Sequence, residues 1–201
     1  MITKLRQALS GRTPRALQTT EKDVAAVAML LREDENDLQV LFIERVEREG
    51  DPWSGHIAFP GGRLQDEVES PQAAAERETR EEIGIDLTAT DYLGRLDDLT
   101  GNTLPVQVSG FVYLLSSIAP KPNDKVDLLL NHEVRDAFWY RFSDLVDPKR
   151  HRSSAFLIDD AMRQLPSIEL DTGRPLLWGL TYRFIMQLVH ELDIEIAGGD
   201  P

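Results

Sequence analysis

Residues 59–85 read FPGGRLQDEVESPQAAAERETREEIGI and hold the strongest local structural signals in the chain. Ser70 and Pro71 are typical of an N-cap and of the first position of a helix, and Gly84 is typical of the residue that ends one. The residues between them are strong helix formers. The stretch therefore predicts a helix over 72–83 that is entered from a polar loop.

Three carboxylates of this helix share one face. Glu78, Glu81 and Glu82 stand at positions i, i+3 and i+4, so their side chains project to the same side. Like charges at this spacing repel one another. The face is therefore either solvated, with Arg77 and Arg80 tempering its charge, or compensated by a divalent cation. Mg²⁺ and Mn²⁺ prefer oxygen ligands and commonly combine a few carboxylates with substrate phosphates.

The overall charge limits the classes of partner. The 201 residues include 35 Asp and Glu against 22 Lys and Arg, which gives a net charge of −13. This balance argues against binding to nucleic acid or to an anionic membrane, because both require clustered basic residues. A phosphate-containing small molecule stays compatible if a metal ion lies between its phosphates and the carboxylates. The absence of cysteine excludes disulfides, thiol catalysis and cysteine-bound zinc, and fits a cytoplasmic location.

Strand and helix patterns alternate along the chain and predict one mixed α/β domain over residues 21–201. Residues 1–20 hold four bases and no acid, and they predict a short surface helix followed by an exposed arm that meets the acidic body. An amphipathic helix over 177–192 closes the fold. Loops are expected at 97–105 and 120–131. The predicted strands are 24–31, 38–43, 56–59, 93–96, 106–115 and 134–142, with weaker ones at 156–158 and 164–170.

The glycines and the helix resemble the Nudix box, whose pattern is a Gly, a Glu, then R-E-x-x-E-E-x-G and an aliphatic residue. The spacing from Gly62 to Glu69 is one residue longer than usual, and Thr79 replaces the usual aliphatic residue. The resemblance implies a Nudix-type α/β/α sandwich with a mixed β-sheet and a loop–helix–loop at the box. It also implies hydrolysis of a diphosphate linkage. The matching residues are Gly62, Glu69, Arg77, Glu78, Glu81, Glu82, Gly84 and Ile85.

The family pattern assigns roles to the box residues. Glu78, Glu81 and Glu82 would be the ligands of Mg²⁺ or Mn²⁺. Arg77 would orient a neighbouring glutamate through a charged hydrogen bond, and Gly84 would have the structural role of ending the helix.

The resemblance leaves the general base open. Glu81, Glu82 and Glu133 are the candidates, and Glu133 precedes the predicted strand at 134–142, where many relatives have a functional glutamate. The alternative for Glu133 is an exposed residue at the start of a strand.

Two segments are similar to the coenzyme A diphosphatase branch of the family. Residues 41–62 read LFIERVEREGDPWSGHIAFPGG, and residues 176–184 read LLWGLTYRF, where that branch has W-G-x-T at the start of its last helix. The second Arg and the Ser/Ala-rich stretch of the branch are replaced here by residues 46–51.

These segments supply candidates for substrate binding. Arg45 and Arg48 would contact phosphates, although Arg48 could instead pair with the glutamates around it. Trp53 is the candidate for stacking on an adenine, whereas Trp139 and Trp178 are expected in the core. The two glycines Gly61 and Gly62 would let the backbone approach a neighbour closely.

The branch resemblance implies hydrolysis of coenzyme A or a derivative, giving 3′,5′-ADP and a 4′-phosphopantetheine compound. The alternatives are ADP-ribose, a nucleotide sugar, NADH or a non-canonical nucleotide, or a Nudix-like domain that senses a nucleotide without cleaving it. The presence of Glu81 and Glu82 favours cleavage. A homodimer is one option because many relatives are dimers, but no surface can be identified in the sequence as an interface.

Overall fold

The computed structural model describes residues 1–17, 23–34, 37–49, 53–88, 90–101, 106–115, 128–158 and 160–196. The helices are α1 (Ile2–Ser10), α2 (Pro71–Ile83), α3 (Phe142–Leu145) and α4 (Gly179–Glu191). The strands are β1 (Asp23–Asp34), β2 (Asp37–Arg45), β3 (Ile57–Ala58), β4 (Gly61–Arg63), β5 (Asp91–Arg95), β6 (Leu99–Thr100), β7 (Val106–Leu114), β8 (Val134–Arg141), β9 (His151–Ile158), β10 (Ala161–Ile168) and β11 (Leu177–Trp178).

A mixed sheet forms the centre of the molecule. Its main path runs β3-β2-β1-β7-β5, with β4 paired to β1, β6 paired to β7 and β8 paired to β2. The strands β1 and β7 are parallel and the other pairs are antiparallel. Every residue of β7 is buried, including the polar Gln107 and Ser109, because a strand covered on both faces has no solvent side.

Helices cover the sheet on both faces, so the predicted α/β/α sandwich is confirmed. On one face α2 packs Ala74, Ala75 and Ile83 into an apolar cluster with the sheet. On the other face α1 and α4 contribute to a larger cluster. No helix within the described ranges is long and apolar enough to cross a bilayer.

The ends of α2 form as the sequence predicts. The Ser70 hydroxyl accepts a hydrogen bond from the Ala73 amide at 3.2 Å, which satisfies one of the free N–H groups of the first turn. Gly84 ends the helix with φ of 77°, a left-handed conformation that favours glycine. The absence of a side chain at Gly84 also leaves room for Leu129, because a Cβ on Gly84 would lie only 2.9 Å from the Cβ of Leu129. The helix therefore ends in a fixed direction that docks the segment at 128–133.

Several elements differ from the sequence-based expectation. The predicted loop at 97–105 contains the short strand β6, which pairs with β7. The weak strands at 156–158 and 164–170 belong to a hairpin of two eight-residue strands, β9 and β10, joined by β11 into a second sheet. Most side chains of this hairpin are exposed, so its apolar alternation is weak and the pairing depends on backbone hydrogen bonds. In the expected loop at 120–131, residues 120–127 lie outside the described ranges.

The N-terminal helix is more deeply packed than the expected surface helix. Ile2, Leu5 and Leu9 are buried in the same cluster as the core, because their spacing places them on one side of α1. The arm after the helix meets acidic residues, as predicted. The Arg12 guanidinium lies 2.5 Å from the Asp97 carboxylate.

Replacement of Leu5 should measure how much α1 contributes to the core. Leu5 is 0% exposed. Leu5→Ala should lower the free energy of unfolding by about 2–5 kcal/mol, because it removes a buried side chain and leaves a cavity. Gln7→Ala is the control, since Gln7 is exposed on the same helix. Urea denaturation followed by circular dichroism measures both, and equal stability of the two variants would show that α1 is not part of the core.

Candidate active site

A cleft of about 700 Å³ opens on the face of the sheet that carries α4. Its floor includes Ala25, Val27 and Val108 from β1 and β7. The β9–β10 hairpin and the start of α4 form one of its walls. Three carboxylates, those of Glu78, Glu82 and Glu133, line it together with the glycines of β4. The cleft is thus apolar over most of its surface, with charged groups gathered near β4.

The glycines of β4 allow the α2 carboxylates to approach the backbone. The Gly61 amide donates a hydrogen bond to the Glu82 carboxylate at 2.8 Å. A Cβ on Gly61, whose φ is 154°, would overlap the backbone of Ala26 and Val27 on β1. A Cβ on Gly62 would lie 2.5 Å from the carboxyl carbon of Glu78. Both glycines are therefore required by close packing, between β4 and β1 in one case and between β4 and α2 in the other.

Glu82 is a buried carboxylate, only 2% exposed. Burial is the main cause that raises the pKa of Glu82 to about 8; the charges of Glu78 and Glu133 act in the same direction, and the Gly61 amide and Arg45 act against it. The Arg45 guanidinium lies 3.7 Å from Glu82 and 4.0 Å from Glu133. A buried carboxylate with two other carboxylates near it favours the binding of a further positive charge.

Arg77 holds the box together. Its guanidinium donates to Glu69 at 2.8 Å and to Glu78 at 2.8 Å, and it also reaches the Arg63 carbonyl oxygen at 3.1 Å. The hydrogen bond from Arg77 lowers the pKa of the Glu69 carboxyl. Despite the longer spacing from Gly62, Glu69 therefore occupies a defined place in the network. The expected contact of Arg77 with a neighbouring glutamate is present in the structure.

Glu81 is placed differently from the other two box glutamates. Its side chain is 53% exposed and lies 3.4 Å from Arg77, and it does not line the cleft. Glu78 and Glu82 are one helical turn apart and both face β4. The structure thus brings Glu78, Glu82 and Glu133 to one cleft and leaves Glu81 at its outer side.

No metal ion is part of this structure, so the fit has to be judged from the donor groups. Within the ranges that the structure describes, no three Asp, Glu or His side chains form a ready-made metal cluster. The donors at the cleft are all carboxylate oxygens, which suit Mg²⁺ or Mn²⁺ rather than softer metals. One of them, Glu82, is buried, and a bound cation would favour its charged form. The chemistry of this donor set therefore fits a hard divalent cation.

Glu133 is anchored to the end of α2 through the backbone. The Asn131 amide donates to the Glu82 carbonyl oxygen at 3.0 Å, and the Asn131 side chain accepts from the Glu133 amide at 2.8 Å. Its carboxylate pairs with Arg48 at 3.3 Å. Arg48 therefore contacts this glutamate and not the adjacent glutamates that were the expected alternative. The segment at 128–133 thus docks on the end of α2 and brings Glu133 to the same part of the cleft as Glu82.

The tryptophans are distributed differently from the prediction. Trp53 is half-buried in the cleft wall, where stacking on a base was expected. Trp178 also lines the cleft, so its expected place in the core is wrong, and its ring stacks on Phe156 of the β9–β10 hairpin at 4.1 Å. Trp139 lies elsewhere, beneath the Arg32 guanidinium at 4.4 Å. No local sequence pattern indicates this position of Trp178, because its environment depends on the hairpin.

The comparisons with known proteins agree with this geometry. Residues 22–160 match the NUDIX domain family. An uncharacterised protein of Schizosaccharomyces pombe is 38% identical over 117 residues, which cover 55% of this chain and 34% of that protein. The peroxisomal coenzyme A diphosphatase of Caenorhabditis elegans is 30% identical over 138 residues, covering 68% of this chain and 55% of that protein. The chain thus spans about a third to a little over half of the length of these relatives.

A solved structure shows the same fold. The MutT/nudix family protein of Enterococcus faecalis superposes with a TM-score of 0.57 at 18% identity. The match covers 89% of this chain and 65% of that protein.

A substitution at Gly62 of β4 should test its close contact with the Glu78 carboxylate. Gly62→Ala should weaken Mn²⁺ binding by about tenfold or more, because the new Cβ displaces the Glu78 carboxylate. Gly11→Ala is the control, since Gly11 has an ordinary φ of −90° and lies outside the cleft. Isothermal titration calorimetry with Mn²⁺ measures both. Unchanged affinity in Gly62→Ala would argue against Glu78 as a ligand.

Proposed function

Because the chain belongs to the Nudix family, we propose that it hydrolyses the diphosphate linkage of a nucleoside diphosphate derivative with the help of a divalent metal ion. The observation that carries this proposal is the convergence of Glu78, Glu82 and Glu133 on one part of a largely apolar cleft. An apolar cleft with a few convergent charged groups is the usual form of a small-molecule site. The match to the family over residues 22–160 supports the class of reaction.

The box glutamates would hold the metal ion. Glu78 and Glu82 would bind it from the cleft, and Glu81 would approach it from the exposed side of α2. Mg²⁺ or Mn²⁺ bound there supplies neutralisation of the diphosphate charge and activation of water for attack on phosphorus. Arg77 would keep Glu78 in its orientation through their hydrogen bond at 2.8 Å.

Glu133 is the general base that the geometry favours. Glu82 is buried and accepts a hydrogen bond from the Gly61 amide, and Glu81 does not line the cleft. The Glu133 side chain is 36% exposed and lines the cleft. A partly solvated carboxylate there can accept the proton that water loses as it attacks. Arg45 and Arg48, which now pair with Glu133, would contact the phosphates of the bound substrate.

The proposed substrate is coenzyme A or one of its derivatives, and the products would be 3′,5′-ADP and a 4′-phosphopantetheine compound. The similarity to the Caenorhabditis elegans coenzyme A diphosphatase supports this choice. A cleft of about 700 Å³ with Trp53 in its wall has room for a nucleoside and an apolar arm. The cysteine-free composition agrees with a cytoplasmic location for the reaction.

A substrate panel tests the proposal directly. Coenzyme A, an acyl-CoA, NADH, ADP-ribose, nucleotide sugars and nucleoside triphosphates are incubated with Mg²⁺ or Mn²⁺, and the products are identified by mass spectrometry. We expect 3′,5′-ADP from coenzyme A, with no turnover after addition of a chelator. Preferred cleavage of another compound would replace coenzyme A as the substrate, and turnover without metal would contradict the mechanism.

Neutral replacements of the box glutamates should separate activity from folding. Glu82→Gln and Glu81→Gln should each lower kcat by about a hundredfold or more, because loss of a metal ligand affects the transition state most. Glu67→Gln is the control, since Glu67 is an exposed residue of the loop before α2. Thermal unfolding checks that the fold is intact. Activity like that of the wild type in both variants would exclude the metal-site assignment.

Glu133→Gln should reveal the base. If Glu133 accepts the proton, kcat should fall by about a hundred- to ten-thousandfold while Mn²⁺ affinity stays within about twofold of the wild type. The residual activity of Glu133→Gln should also no longer decline at low pH. The pH–rate profile and Mn²⁺ titration measure these effects. An unchanged profile would leave Glu81 or Glu82 as the base.

A further inference from the structure

Arg183 stands in the cleft without an acidic partner among the residues that the structure describes. It belongs to α4 and lines the cleft, half-buried, near Gly101 and Val106. Its guanidinium donates one hydrogen bond, at 2.7 Å, to the carbonyl oxygen of Thr100 on β6. Among the described residues no carboxylate lies within 4 Å of it, so its charge is not balanced in the way that the other cleft charges are.

The other two arginines of the cleft are paired with acids. Arg45 lies beside Glu82 and Glu133, and Arg63 lies 3.1 Å from Asp23. Acids exceed bases by 35 to 22 in this chain, so carboxylate partners are abundant. A guanidinium that is half-buried without one bears a desolvation cost, and burial lowers the pKa of Arg183 accordingly. The exposed side of the Arg183 guanidinium is therefore suited to bind an anionic ligand.

Arg183 is separated from the carboxylates by the floor of the cleft. Glu82 is fixed to β4 through Gly61, and Arg183 is fixed to β6 through Thr100. The strands between them run in the order β4-β1-β7-β6. Three strand spacings of about 4.8 Å place the two anchoring strands about 14 Å apart. The apolar residues Val27 and Val108 lie between the two charged ends.

We propose that Arg183 binds a phosphomonoester of the substrate, a phosphate separate from the diphosphate that is cleaved. The class of substrate is then a nucleoside diphosphate derivative that carries a further phosphate on its ribose. A guanidinium recognises a phosphate by paired, charge-assisted hydrogen bonds, and the nitrogens of Arg183 that do not bond to Thr100 are available for them. This inference rests on the proposed function, because it places the scissile diphosphate at the glutamates.

A purely structural role for Arg183 makes a different prediction. In that case Arg183 would only tie α4 to β6 through the Thr100 carbonyl oxygen. Its loss would then affect every substrate to the same extent. The ratio of two substrates that differ by one phosphate therefore separates binding from a structural effect, even if a variant is less stable.

Turnover of coenzyme A and of dephospho-coenzyme A gives this ratio. The wild type should have a kcat/KM about tenfold or more higher for coenzyme A, since a charged hydrogen-bonded contact is present with only one substrate. Arg183→Gln should bring the ratio close to one, and Arg183→Lys should keep part of it. Arg152→Gln is the control for loss of one positive charge, because Arg152 is exposed, pairs with Glu169 and lies outside the cleft. Equal losses on both substrates in Arg183→Gln would overturn the proposal.

A binding measurement does not depend on turnover. Adenosine 3′,5′-bisphosphate and AMP are titrated into the wild type and into Arg183→Gln by calorimetry. Tighter binding of the bisphosphate by about tenfold in the wild type, and its loss in the variant, would support the subsite. If neither coenzyme is cleaved, the proposed substrate fails while this experiment still decides on Arg183. Equal affinity of the two nucleotides for the wild type would overturn the subsite.

Discussion

The close approach of two α2 carboxylates to the glycines of β4 is the contact on which the rest of the cleft depends. Glu82 accepts from the Gly61 amide at 2.8 Å, and Glu78 occupies the space that a side chain at Gly62 would need. These contacts attach α2 to the edge of β1 through polar groups and not only through its apolar side. Any residue other than glycine at these positions would push the helix or the carboxylates away. The position of the carboxylates is thus determined by the absence of two side chains.

Bringing carboxylates so close together creates an electrostatic problem that arginines solve only in part. Arg77 balances Glu69 and Glu78, and Arg45 lies between Glu82 and Glu133. A carboxylate that remains buried with a pKa of about 8 stores unfavourable energy, which a bound cation would relieve. Binding of a metal ion at this site would therefore stabilise the folded protein.

The parts of the fold that local chemistry determines could be predicted from the sequence. The hydroxyl of Ser70 and the left-handed Gly84 act within a few residues, so the ends of α2 follow from the chain itself. The same holds for the apolar strands of the central sheet. The β9–β10 hairpin could not be predicted to the same extent, because its pairing is made by the backbone and leaves most side chains exposed. The location of Trp178 depends on that hairpin and was missed with it.

The positions of the side chains in the candidate site could also be predicted only in part. The spacing of the box places Glu78, Glu81 and Glu82 near one another, but it does not say which of them faces β4. That distinction arises when α2 docks, and it separates Glu82, which is buried, from Glu81, which is half-exposed. Arg183 lay in a helix whose apolar spacing predicted only packing. Its place in the cleft follows from the pairing of β6 with β7.

The distribution of charge explains how an acidic chain can hold a polyanion. The net charge of −13 belongs to the whole surface, whereas a bound ligand responds mainly to groups within about 10 Å because salt screens the others. Within the cleft, Glu78, Glu82 and Glu133 face Arg45 at one end. Arg183 stands at the other end, with no carboxylate beside it in the described part of the chain. A metal ion bound to the carboxylates would change the local net charge at that end from negative to positive. The cleft would then present positive charge at both ends of an apolar floor, which suits a ligand with phosphates at two separate positions.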